Sequence, residues 1–235
     1  MITIRAEGMK EVLAYLDDIK KRQLPFAVSK ALNMTAKSVQ AELNSTMKSV
    51  FDRPIPFTLN SIYIKPSTKD NLSVEVGHKD WAAKGTAAGE YLKPHIFGGN
   101  RSFKRSERRY GEYIMPSKFA PLDQYGNITK GKMTQIMSVT KMHVDRYQNT
   151  TKRSKEKNKK LPGYFISHGG RGLKAGIWQR YGRKNRSVKP IFFFSKAPQY
   201  QKRYPFFEVA RKVVQVKFPR LFGTAMFEAL RTARR

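Results

Sequence analysis

A mixed α+β fold is predicted by three features of this 235-residue chain. Helical apolar spacing runs through long stretches near both ends, and short alternating segments bounded by turn residues lie between them. The composition, 40% apolar and 27% charged, is close to the globular average and supplies a core without staples. The predicted architecture is an N-terminal helical pair, an antiparallel sheet, a central helix and a C-terminal helix. It is read as one domain over residues 1–235, with extended basic loops near 100–125 and 147–162.

Ile2–Ala6 alternates as a short strand. Met9, Val12, Leu13, Leu16 and Ile19 then follow helical spacing, with Lys20, Lys21 and Arg22 where the last turn favours cations. Pro25 suits the opening of a second helix, which continues through Ala27, Val28, Ala31, Leu32, Thr35, Val39 and Leu43 to about Phe51. Arg53-Pro-Ile-Pro56 stops it, because proline and the residue before it disfavour helical geometry. Ser61–Lys65 and Leu72–Val76 alternate, and the turn residues of Pro66–Asn71 make them an antiparallel hairpin. Residues 81–99, rich in Ala and Gly, predict a short helix ending at Gly98-Gly99.

Thr129–Arg146 carries the central helix on Met133, Ile136, Met137, Val139, Thr140 and Val144. Lys152–Lys160 reads as an exposed, mobile loop unless a partner orders it. Strands follow at Gly163–Ser167, Ala175–Tyr181 and Val188–Ser195. The last helix runs from Phe206 to about Thr232, interrupted at Pro219.

Charge is the abnormal quantity. The chain has 47 Lys+Arg against 17 Asp+Glu, a net charge of +30. Residues 1–97 hold 14 basic and 10 acidic side chains, residues 98–160 hold 16 and 5, and residues 161–235 hold 17 and 2. So large an excess repels itself in a compact state and calls for a polyanion or an acidic neighbour.

Several chemistries are excluded. With no cysteine there are no disulfides, Cys-ligated zinc sites or thiol catalysis. No apolar run approaches a membrane span, and Met1–Glu7 shows no secretory pattern, so the chain is expected to act inside a cell or in something assembled there. Gly126–Lys132 fits G-x-x-x-x-G-K, but Met133 stands where a metal-binding hydroxyl is needed. The stretch therefore reads as a turn capping a helix. His78, His95, His143 and His168 lack ligand spacing, and no nucleophile elbow surrounds Ser167 or Ser195. The carboxylates beyond residue 97 are dispersed among cations. No catalytic residue, metal, cofactor or small-molecule substrate is expected. The best enzymatic alternative is a metal-dependent nuclease using Asp70, Glu75 and Lys79 around the first hairpin.

The candidate contacts to DNA or acidic partners fall in three stretches. One holds Arg101, Lys104, Arg105, Arg108 and Arg109, and a second holds Lys152, Arg153, Lys155, Lys157, Lys159 and Lys160. The third holds Arg183, Lys184 and Arg186. In Arg180-Tyr-Gly-Arg183-Lys-Asn-Arg186 and Tyr200-Gln-Lys-Arg203-Tyr204, aromatic and basic residues interleave, a pattern suited to nucleic acid or to a solvated basic face. Gly169–Gly172 is a basic turn able to meet a phosphate or simply to close a hairpin. No recognition-helix, zinc-finger or RNP signature is present, so binding is expected to ignore base sequence. Part of the long helix (Phe26, Val28, Leu32, Val39 and Leu43) is a candidate subunit interface.

Several stretches resemble the tail-completion or neck proteins of tailed bacteriophages, of the minor tail protein Z type. The likeness rests on Phe26-Ala-Val-Ser-Lys-Ala-Leu-Asn33 with Thr35-Ala36, on Tyr113–Lys132, on Gly176-Ile-Trp-Gln-Arg180, and on Pro205-Phe-Phe-Glu208 with the terminal helix. It implies a virion structural protein, assembled in the host cytoplasm, in a closed ring of identical subunits at the head–tail junction. The implied partners are other virion proteins on the portal or adaptor side and on the tail side. A ring traversed by double-stranded DNA favours cations on its inner wall. A sequence-independent DNA-binding protein acting outside the particle is the alternative reading.

Overall fold

The computed structural model describes residues 17, 19–83, 85–104, 107–108, 111–143, 145–157, 163–170 and 172–232. In chain order these form α1 (Leu24–Val50), α2 (Pro56–Leu59), β1 (Ile62–Lys65), β2 (Glu75–His78), α3 (Ala88–Phe97), β3 (Gly99–Asn100) and β4 (Tyr113–Pro116). Then follow α4 (Lys130–Val139), α5 (Lys152–Lys157), β5 (Gly163–Ser167), β6 (Gly176–Tyr181), β7 (Ser187–Ser195), β8 (Gln199–Tyr200) and α6 (Phe206–Thr232). The class is α+β, with a long helix towards the amino terminus, antiparallel sheets and a long terminal helix. The chain divides into two compact units, residues 1–89 with 203–235, and residues 90–202.

The first unit is built on α1 packed antiparallel to α6. Phe51, just past the end of α1, lies 5.9 Å from Tyr204 ahead of α6, while Ala27 and Ala31 meet Ala225 and Ala229 near the opposite ends. All four alanines are at most 1% exposed. Their small side chains let the two backbones approach, and Phe218, Leu221, Phe222 and Met226 close the seam. Farther along α1, Val39, Leu43 and Met47 are buried. Full burial of Leu43 and Met47 stabilises the unit by on the order of 2–3 kcal/mol each. The β1–β2 hairpin pairs Ile62 with His78 and Lys65 with Glu75. It is tied to α1 through Gln40 Nε2 donating to Ile62 O (2.8 Å) and through Asn33, which both donates to and accepts from the Ser67 backbone.

The second unit holds a four-stranded antiparallel sheet in the order β4-β7-β6-β5. Ile136, Met137 and Val139 of α4 pack with Ile114, Tyr164, Ile177 and Phe192 from the strands. Ile177 faces Phe192 and Trp178 faces Pro190, so Ile191 is the extra residue of a bulge. Gly176 (φ +157°) is required at the start of β6, because a Cβ there would stand 2.2 Å from the Phe192 carbonyl oxygen.

Four expectations change. The central helix ends at Val139 rather than Arg146. Met142 N–H bonds Met137 O at 2.8 Å and Lys141 N–H bonds Ser138 O at 3.2 Å, a C-terminal cap with Lys141 at the left-handed position (φ +60°) where glycine is usual. Lys152–Lys157 is a helix rather than a loop, opened by reciprocal backbone-to-side-chain bonds between Thr151 and Ser154. The last helix runs unbroken through Pro219. Both Pro219 and Gln215, whose carbonyl loses its donor, face water. The second hairpin strand is Glu75–His78, shifted along from Leu72–Val76. The predicted strand at Ile2–Ala6 and the predicted first helix up to Leu16 lie outside the described residues, and the end of that helix, Ile19–Gln23, is a π-helical turn.

Candidate nucleic-acid interface

The first basic stretch is organised around a buried carboxylate. Glu107 is 1% exposed. Its oxygens accept Arg101 Nη1 and Nη2, each at 2.6 Å, and the backbone N–H groups of Lys104 (2.7 Å) and Ile114 (3.0 Å). Burial pushes the Glu107 pKa up, but the Arg101 fork and the two N–H donors hold it below the usual carboxylate value. Arg101 also lies 4.8 Å from the centre of the Tyr113 ring, which stacks on Phe103 at 4.3 Å. Arg101 is therefore a structural cation, engaged inside the second unit, and is removed from the set of channel contacts. Lys104 and Arg108 remain exposed. Arg105 and Arg109 lie outside the described residues.

In the second stretch Lys152, Arg153 and Lys155 belong to α5 and Lys157 closes that helix, with Lys152 and Arg153 exposed. Lys159 and Lys160 lie outside the described residues. In the third, Arg183, Lys184 and Arg186 are exposed in the turn between β6 and β7. Gly182 (φ +81°) and Lys184 (φ +55°) set the path of that turn in left-handed backbone. The second unit carries 26 Lys+Arg against 6 Asp+Glu, net +20, and the first carries 21 against 11, net +10.

The candidate subunit contacts on α1 separate by depth. Phe26 is 39% exposed with the Lys69 ammonium 5.4 Å from its ring centre, and Val28 and Leu32 are half-buried. Val39 and Leu43, 3% and 0% exposed, belong to the chain's own core and cannot meet another subunit. Larger apolar exposure lies on α6, at Phe207, Val214, Val216 and Phe227, where the helical pattern hides which side is covered.

No protein-family model, curated protein or solved structure matches this chain.

Around the first hairpin, Glu75 accepts a hydrogen bond from Tyr63 across the strand pair. Among the described residues no group of three His, Asp or Glu side chains is arranged to hold a metal ion. Gly126–Lys132 is a turn into α4. Asp123 Oδ1 accepts from the backbone N–H of Tyr125 and Asn127, each at 2.9 Å, and Thr129 caps the helix through the Lys132 N–H. His78 sits on the first unit's core, 5.7 Å from Tyr204 and 5.3 Å from Phe206 between ring centres. Ser61 donates its hydroxyl proton to Thr58 O at 2.6 Å, so His78 Nδ1, 2.8 Å from Ser61 Oγ, is the donor of that pair. Nε2 is left as a buried lone pair, and burial pushes the pKa of His78 down to about 4.

Proposed function

We propose that this chain is a non-enzymatic structural protein of a tailed-bacteriophage particle, a tail-completion or neck component at the head–tail junction. In this reading it assembles in the host cytoplasm as a closed homo-oligomeric ring around double-stranded DNA, between portal-side and tail-side proteins. The observation that carries the reading is the +20 charge of residues 90–202. One folded unit concentrates the cations that a channel around DNA needs, and the other holds the long helices. The apolar side chains exposed on α6 support self-association, since a closed ring requires two different complementary surfaces on each subunit. The same charge supports a second reading, a sequence-independent DNA-binding protein acting outside the particle.

Deleting the chain from its source virus tests the first reading. DNA-filled heads and tails that fail to join, restored by supplying the chain in trans, are expected. Normal yield of infectious particles without the chain contradicts it.

A further inference from the structure

From residue 157 to residue 207 the chain contains no Asp or Glu but thirteen Lys and Arg. The middle of this acid-free stretch is the β6–β7 hairpin, where strand alternation distributes cations to both faces. Arg180 and Tyr181 are neighbours on β6 and therefore point to opposite sides. On one side the Arg180 guanidinium lies 4.7 Å from the centre of the Phe165 ring. It reaches that ring across Gly163, its partner on β5, where a Cβ would crowd the Arg180 stem at 3.3 Å. On the other side the Lys189 ammonium lies 5.5 Å from the centre of the exposed Tyr181 ring. The turn adds Arg183, Lys184 and Arg186, all exposed, with Lys184 in left-handed backbone. Among the described residues none of these cations has a salt-bridge partner.

We propose that the tip of the β6–β7 hairpin is this chain's contact with the sugar–phosphate backbone of duplex DNA. The inference rests on the reading above for its partner and goes beyond it in assigning the surface. An all-positive surface can also meet an acidic protein face, which the polyglutamate comparison below tests. A stretch of fifty-one residues with no carboxylate fits a partner of uniform, dense negative charge, which a duplex supplies at one charge per about 1.7 Å of axis. The aromatic rings seat cations, holding Arg180 and Lys189 in place. Each ring already carries a cation, Phe165 under Arg180 and Tyr181 under Lys189, which favours contact with the backbone over stacking of an unpaired strand.

Anisotropy titration of the full chain against a fluorescent duplex, repeated over a range of salt, tests the assignment. The combined variant Arg183→Gln, Lys184→Gly and Arg186→Gln removes the tip charges. Its affinity is expected to fall about tenfold or more, and its salt slope to flatten by about 0.9 for each phosphate that is no longer neutralised. Lys184→Gly alone relieves the left-handed backbone, so it folds at least as well as the parent, and flattens the slope by about 0.9. An equal removal of charge on α5, through Lys152→Gln, Arg153→Gln and Lys155→Gln, is expected to change affinity by less than about threefold. Equal weakening in the tip and α5 variants, or none in the tip variant, overturns the assignment. So does tighter binding to single-stranded DNA than to duplex, or equal binding to polyglutamate. Unimpaired duplex binding by the tip variant, in a chain present in particles, removes this assignment alone. Tip-dependent binding in a chain absent from particles removes the head–tail reading alone.

Discussion

Two buried titratable side chains make stability depend on pH in different windows. Glu107 has its pKa lowered on folding, so its contribution is complete above the unfolded value near 4.5 and is lost as pH falls through the folded value. His78 behaves otherwise. Its pKa drops from 6.5 to about 4, so the unfolded chain binds the extra proton and the first unit weakens steadily as pH falls from about 6.5 to 4. A shift of that size corresponds to about 3 kcal/mol, reduced to roughly 2 by the ring's residual contact with solvent. Thermal melts are expected to show a decline between pH 6.5 and 4 that His78→Phe flattens; an unchanged decline in that variant contradicts the assignment. Glu107→Gln leaves Arg101 half-stranded beside Tyr113 and is expected to cost about 3 kcal/mol at pH 7, read as a drop in melting temperature. Neither role was legible in the sequence. Glu107 sits among five cations and looks like one more surface charge, and only folding brings the Ile114 N–H to it.

Elements that bury a periodic face were legible, and elements ended by backbone geometry were not. α1 and strands β5, β6 and β7 follow their apolar periods closely. α4 stops at Val139, short of Val144 where the apolar pattern ends, because its cap places Lys141 in a conformation for which glycine is the usual signal. Lys141→Gly is accordingly expected to raise stability by up to about 1 kcal/mol in denaturant melts; a decrease in stability would show that the side chain matters more than the backbone. The two-residue pair β3–β8 is too short to carry a period. The α5 cap pairs Thr151 with Ser154 where the usual capping box has Glu or Gln, so the lysine-rich run carried no helix signal. Gly176 marks the sheet's tightest approach. Gly176→Ala forces β6 away from the Phe192 carbonyl and is expected to cost about 3 kcal/mol or to block folding, whereas Gly131→Ala, open on all sides within α4, gains up to about 1 kcal/mol.

For the whole molecule, charge was the legible part of the functional surface and depth was not. Composition alone marked three basic stretches, and folding sorted them: Arg101 pairs inward, while Arg183, Lys184 and Arg186 stand exposed on the turn between β6 and β7. It also withdrew Val39 and Leu43 from any subunit contact, while Phe207, Val216 and Phe227 of α6 stand exposed. Replacing those three by Ser is expected to weaken self-association of the full chain in light scattering while shifting its melting temperature little; unchanged mass would remove α6 from the interface. The head–tail reading requires the chain to be a stoichiometric part of the particle. Quantitative mass spectrometry of purified particles, normalised to the major capsid protein, decides that point. A copy number fitting one cyclic ring, about six or twelve, is expected, and absence of the chain from the particle would contradict the proposal.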